Sequence, residues 1–374
     1  VIAHTAQAVG APCPTLVLDA DLLPAEEPAL RPVLTRIREW LQATGSGGVL
    51  KFALIAVSAH PLFDLDFRFV QCLPGGADRF DFAANCGHSV LAAVVVAEQQ
   101  GLLPRLAPGG RVRVRVLNNG DLVVCELAEA RSRSRDFTVH FVQSPSVPVA
   151  DLLLTGRPAD LLAVGRPGTA GAAQEVSLVS LGNPYVFLDA CSLGILTERQ
   201  LFEAGDEVFA QLAAVRAAAA RRLGRPVDGA LPKIAVVGGF RPGRLHVRSL
   251  AVPSWHPTLA VTGAICLAAA TAIPGTVPQR VAVRTDATGP QVEVETPGGR
   301  TTVTAAVRPS PGGDLLEWVS VGHKVAHPTG SADLGAPLVP AGRMAGGPAP
   351  RGYGESGDRS RSSAAGLVRS SPRG

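Results

Sequence analysis

Phe82-Ala83-Ala84-Asn85-Cys86-Gly87-His88-Ser89, running into Val90-Leu91-Ala92-Ala93-Val94-Val95-Val96-Ala97, is the stretch around which the chain is organised. A polar Asn-Cys-Gly-His-Ser turn opens onto a helix-length segment without charge before Glu98. Such a helix is apolar on every face, so it is predicted to lie buried. Its first turn then carries the chemistry, because a helix N-terminus leaves backbone N–H groups unpaired and holds partial positive charge. That environment favours a bound carboxylate and lowers the pKa of a thiol placed there. Cys86 occupies that place, although an ordinary free cysteine packs as a small inert hydrophobe.

Outward from this stretch, the chain repeats itself. Pro14-Thr15-Leu16-Val17-Leu18-Asp19-Ala20 reads as a strand, and Tyr185-Val186-Phe187-Leu188-Asp189-Ala190 reads as the same strand again. Gly10-Ala11-Pro12 precedes the first and Gly182-Asn183-Pro184 the second. Thr262-Gly263-Ala264-Ile265-Cys266-Leu267-Ala268-Ala269 aligns with the run from Cys86 to Ala93, and it is equally apolar. Strand and helix start recur in one order, which predicts an internal duplication into two like domains, 1–178 and 179–335. On this alignment Thr262 takes the place of Cys86, either as a hydroxyl facing a shared cleft or as a helix cap.

Between these markers the pattern is mostly β. Arg111 to Val116 alternates at period two, Asn118-Asn119-Gly120 turns, and Leu122-Val123-Val124 returns, which makes a hairpin with one wet face. Arg111, Arg113 and Arg115 form either an anion-binding stripe or, more commonly for such a pattern, a solvated strand face. A second hairpin is expected from Val292 to Val303, about the turn Thr296-Pro297-Gly298-Gly299. An amphipathic surface helix is predicted over Asp206 to Leu223 and a weaker one over Leu30 to Leu41.

Composition excludes several classes. The 374 residues are 46% hydrophobic, enough for two cores. The longest uncharged apolar runs are too short to span a bilayer, and no signal-peptide pattern opens the sequence, so no membrane role and a cytoplasmic location are expected. Beyond residue 335 the chain turns Gly/Pro/Ser/Arg-rich, and a disordered basic tail is expected over 336–374. Its six arginines against two acids account for the whole formal charge of +4. The remainder is near neutral, which argues against nucleic-acid binding. The six cysteines show no metal-ligand spacing, and no P-loop, dinucleotide fingerprint, GxSxG elbow or HExxH occurs. Neither a metal nor a cofactor is expected.

Lysine is so scarce that its positions inform: only Lys51, Lys233 and Lys324 occur. Lys51 opens Lys51-Phe52-Ala53-Leu54-Ile55-Ala56-Val57, a strand apolar on both faces and therefore central. A lysine buried there has a lowered pKa and is able to carry protons near neutrality; one at the strand end snorkels to water. His88 and His256 are each read as a proton carrier or a simple hydrogen-bonding residue near a helix start.

Together, Lys51, Asn85-Cys86-Gly87, the segment Gly182 to Ala190, and the segment His256 to Thr276 resemble the PrpF family of methylaconitate and aconitate isomerases, within the wider diaminopimelate epimerase-like fold. The resemblance covers most of residues 6–330. It implies an α+β architecture of two pseudo-symmetric domains, each a rolled β-sheet around a central apolar helix, with the active site in the interdomain cleft. It further implies a cofactor-independent 1,3-proton shift, with Lys51 and Cys86 moving the protons. Asn85, Gly87, His88, Ser89, Asn183, Thr262, Gly263 and Ala264 would line the carboxylate sites.

Departures from the family pattern bear on the substrate. An Arg-Gly-Gly-Thr-Ser-Lys-like loop is here Val9-Gly10-Ala11-Pro12-Cys13-Pro14, a Gly-His-Pro-Ser-Gly-like turn is Glu295-Thr296-Pro297-Gly298-Gly299, and an arginine-rich segment is Gly322-His323-Lys324-Val325-Ala326-His327. Fewer anchors remain for second and third carboxylates. The expected substrate is therefore a small unsaturated acid with fewer carboxylates than methylaconitate. The composition points to a high-GC actinobacterial source, and hence to a cyclic imine or diene acid of an alkylproline-type pathway. A methylaconitate- or oxalomesaconate-type isomerase is the enzyme alternative, and a noncatalytic relative binding a small acid is the competing class. A homodimer is one assembly open to the chain.

Overall fold

The computed structural model describes residues 2–164, 172–251 and 254–335. The tail expected at 336–374 lies outside them. Both all-apolar segments are helices, Gly87–Gln99 and Val261–Thr271, and every residue from Gly87 to Ala97 and from Val261 to Ala270 is buried. No face of either helix is polar enough to meet water, so each is wrapped by sheet.

The wrapping is duplicated strand for strand. In the first half Thr15–Asp19 runs parallel to Lys51–Val57, which pairs antiparallel with Leu65–Cys72; the start of that strand runs parallel to Arg111–Val116. In the second half Asn183–Asp189 runs parallel to Lys233–Gly238, which pairs antiparallel with Arg244–Ala251; the start of that strand runs parallel to Gln291–Thr296. Each series continues through the expected hairpin, Arg111–Val116 with Leu122–Ala130 and Gln291–Thr296 with Gly299–Arg308. The long strands Arg135–Pro148 and Leu315–Asp333 follow their hairpins and pair with one another. Leu315–Asp333 also pairs with Ile2–Ala8, which pairs with Thr15–Asp19, so the first-half strands close into a ring around their helix. Position 178/179 falls inside the strand Ala172–Leu181, which pairs on both sides.

One continuous core holds both central helices and the inner faces of the strands. Two further cores lie outside the sheet. Helix Glu27–Ala43 covers Leu16, Leu18, Phe52 and Leu54 with Leu30, Leu34, Ile37 and Leu41. Helix Asp206–Arg222 covers Val186, Leu188, Ile234 and Val236 with Leu212, Val215 and Ala219. The two parallel strand pairs are thus buried on both faces, as their unbroken apolar runs require.

Arg111, Arg113 and Arg115 do not form an anion-binding stripe. Neighbouring carboxylates already take their guanidinium groups: Glu126 at 2.6 Å, Asp64 at 2.6 Å and Asp66 at 2.6 Å.

The start of the second helix corrects the sequence alignment. Ala260 is its N-cap and Thr262 its second residue, whereas Cys86 is itself the N-cap of the first. Thr262 does not cap the helix, because Val261 already lies in helical geometry and the hydroxyl points elsewhere.

Candidate active site

The two helix starts meet. A Cβ placed on Gly87 would lie 2.6 Å from Val261 Cβ, so only glycine lets the first turn of one helix reach the first turn of the other. Because Val261 Cβ is tied to its backbone, Gly87→Ala must push the helices apart. The expected cost is about 1–3 kcal/mol, read as a lower urea midpoint with an unchanged slope. A midpoint within error of wild type would show that the contact has slack.

Beside this junction is a cavity of about 110 Å³ whose wall includes Lys51, Cys86, Asn85, Asn183 and Thr262. Lys51, at the first position of its strand, is 6% exposed and Cys86 8%. Gln71, opposite Lys51 in the sheet, joins the wall, as do Tyr185, Lys233 and His256. Gly87, His88, Ser89, Gly263 and Ala264 are buried in the helices behind the wall and do not line the cavity.

Hydrogen bonds show what the polar residues are occupied with. Asn85 Oδ1 accepts the Cys86 N–H at 2.6 Å and its amide donates to Asp121 Oδ2 at 2.7 Å. Asn183 accepts the Asn85 N–H at 2.9 Å, donates to the Asn85 carbonyl at 2.7 Å, and donates to Thr262 Oγ1 at 3.1 Å. Asn183 therefore stitches the Cys86 turn to the second half and to the second helix. Asn119 adds a bond to the Gly182 carbonyl at 2.6 Å, and it shares Asp121 with Asn85. These amides hold the thiol in place.

The electrostatics around Cys86 favour a thiolate. Burial pushes the thiol up, but the Lys51 ammonium, the Ser89 hydroxyl and N–H, and the Lys233 ammonium together bring it below its ordinary value. The Ser89 hydroxyl is itself fixed by Thr15 at 2.9 Å. The other buried thiols contrast: without such neighbours, burial pushes Cys125 up to about 12. Lys233 is lowered to about 8, mainly by burial and then by Arg216.

His256 has a defined tautomer. Its Nδ1 accepts the Thr258 N–H at 3.2 Å, so Nε2 carries the proton, and that Nε2 has no hydrogen-bond partner among the described residues. Burial, Lys51, Lys233 and Lys324 lower its pKa to about 3, although the Thr258 contact opposes them. The ring is a neutral donor facing the cavity. His88 stacks on it at 5.6 Å between centroids and 19° between planes. Burial also drives His88 well below the ordinary histidine value.

Sequence reasoning did not place Lys233 here, and it left His256 open between a proton carrier and a simple hydrogen-bonding residue near a helix start. The signal for Lys233 was present: Lys51-Phe52-Ala53-Leu54-Ile55 and Lys233-Ile234-Ala235-Val236-Val237 open equivalent strands with two of only three lysines in the chain.

A rolled sheet around each of two apolar helices, with their starts meeting beside one cavity, is the diaminopimelate epimerase-like fold. The chain belongs to the PrpF family, whose model, described as PrpF protein, matches residues 41–312. It is 27% identical over 273 residues to a (4E)-oxalomesaconate Delta-isomerase of Novosphingobium sp., covering 69% of this chain and 76% of that one. It is 26% identical over 310 residues to a 4-oxalomesaconate tautomerase of Pseudomonas putida, covering 76% and 83%. Among solved structures, a methylitaconate-delta-isomerase superposes with TM-score 0.62 at 21% identity, over 89% of this chain and 94% of that one. Among the described residues no helix is long and apolar enough to cross a membrane.

Proposed function

We propose that this protein moves a carbon–carbon double bond in a small unsaturated carboxylic acid by a 1,3-proton shift, with Lys51 and Cys86 as the proton-transfer groups and no cofactor. The observation that carries the reading is that both side chains line one cavity, with the thiol held below its ordinary pKa beside the lysine. In one direction the thiolate takes an allylic proton as the C–H bond breaks, and the electron pair spreads into a dienolate. The Lys51 ammonium then delivers a proton to the far carbon, and a proton passes from sulfur back to the amine to reset the pair. Microscopic reversibility gives the reverse direction the same two groups with exchanged roles. The unpartnered Nε2–H of His256 is a donor for the developing enolate oxygen, and a neutral imidazole serves this purpose without giving up its proton. Asn85 and Asn183, whose amides are already engaged, position Cys86.

The test is proton NMR in D2O with a panel of cyclic imine acids, diene acids, and methylaconitate- and oxalomesaconate-type acids. Deuterium is expected at an allylic carbon of at least one of them. Binding without exchange by any would instead favour a noncatalytic relative. The alkylproline-type cyclic imine or diene acid remains the first substrate class to try, because the altered loops supply fewer carboxylate anchors.

A further inference from the structure

Among the described residues, Lys233 is the one cation of the cavity wall that this mechanism does not use. It occupies in the second half the place of Lys51 in the first: each opens the strand parallel to its half's first repeat strand, Lys51 opposite Thr15 and Lys233 opposite Tyr185. The duplication brings both to one cavity, together with Cys86. The chain is otherwise almost free of lysine, with arginine filling its ion pairs. Among the described residues no carboxylate lies within ion-pair distance of Lys51 or Lys233, and neither Asp nor Glu lines the cavity. Lys51 is buried and Lys233 half-buried, and two such ammonium groups without an ion-paired carboxylate are costly unless anions complete the site. Cys86, whose pKa both lysines lower, supplies one such anion when it ionises. Arg216 and Asp81 also act on Lys233 with opposite charges, so one positive charge of the lysine pair is left over.

We propose that Lys233 is a catalytic residue: its ammonium binds the single carboxylate that the substrate places in this cavity, and with Lys51 it neutralises the Cys86 thiolate. The inference rests on the proton-shift reading and narrows it, since two ammoniums and one thiolate match a monoanionic reacting end. An acid with a second carboxylate must carry it outside this cavity.

The experiment measures alkylation of Cys86 by iodoacetamide from about pH 5 to 9, followed by mass spectrometry of the Cys86 peptide, in wild type, Lys233→Met, Lys233→Gln and Lys233→Arg. Removing the charge is expected to raise the midpoint and slow alkylation at pH 7 by roughly threefold to tenfold, whereas Lys233→Arg stays near wild type. Should the methionine variant fail to fold, the glutamine variant gives the same readout. With a substrate found by deuterium exchange, Lys233→Met is expected to raise KM about tenfold or more, with most of it recovered in Lys233→Arg. An unmoved alkylation profile in a folded, charge-free variant overturns the proposal, as does a KM that the arginine variant does not recover. The alkylation readout needs no substrate, so it judges Lys233 even when no acid exchanges. Exchange that depends on Lys51 and Cys86, beside an unmoved Lys233→Met profile, would leave the proton shift standing and end this inference alone.

Discussion

Cys86→Ser is expected to lower turnover by about 10³-fold, with KM within a few-fold of wild type. The substitution keeps the shape and the hydrogen-bonding frame, since the Cys86 N–H bond to Asn85 is a backbone contact. What it removes is the ionisable group. A serine hydroxyl beside the same ammoniums is not deprotonated near neutrality, so the allylic proton loses its acceptor. Wild-type rate is expected to rise with pH as the thiol ionises, because the thiolate is the active form and its pKa is depressed. Above about pH 8 the rate is expected to fall as Lys233 loses its proton. The serine variant should lose the first limb of that profile. Steady-state kinetics across pH on the acid identified by deuterium exchange will check this, and a serine variant keeping a third of wild-type kcat would remove Cys86 from the chemistry.

Lys51→Met is expected to abolish isomerisation to a similar degree, between about 10²- and 10⁴-fold, and to make the protein more stable. The two effects have one origin. Lys51 is 6% exposed, and among the described residues it has no carboxylate partner, so folding has to desolvate a cation that the surrounding apolar strand does not reward. Methionine fills the same volume without that cost, and a gain of about 1 kcal/mol is the expected order. Loss of the ammonium also withdraws the larger electrostatic support of the Cys86 thiolate, so Cys86 alkylation at neutral pH should slow. Urea denaturation and a deuterium-exchange assay on the same preparation check both halves. A variant that is inactive but less stable would show Lys51 to be a structural residue.

Much of the fold was legible in local sequence because its signals are local. An all-apolar run of helix length can only be buried, and both central helices were read that way. Period-two alternation around Asn118-Asn119-Gly120 and around Gly298-Gly299 marked both hairpins. The repeat was visible because each half rebuilds the same strand and helix start from similar residues, and those motifs carried the resemblance to PrpF proteins. Lys51 and Cys86 could be singled out on chemical grounds, since a lysine at the head of a buried strand and a thiol at a helix start are each costly without a purpose.

What sequence alone determined, then, was the set of elements, their duplication, the family and the two residues on which the proposed chemistry rests. The tertiary structure decided how side chains from distant elements share their hydrogen bonds and charges. Asn85 and Asn183 were expected to line the carboxylate sites, and both do line the cavity; the Asn183 amide is also spent on the Asn85 backbone across the two halves, a pairing between positions 98 residues apart that no local pattern encodes. Thr262 looked like the twin of Cys86, but one helix starts two residues earlier than the alignment implied, and helix ends are set by packing at the junction of Gly87 and Val261. The tautomer of His256 depends on one contact from Thr258. Lys233 reaches the cavity only because strand register carries it there. Local patterns report burial and period, whereas convergence on a site depends on long-range register, and that is fixed only when the sheet closes.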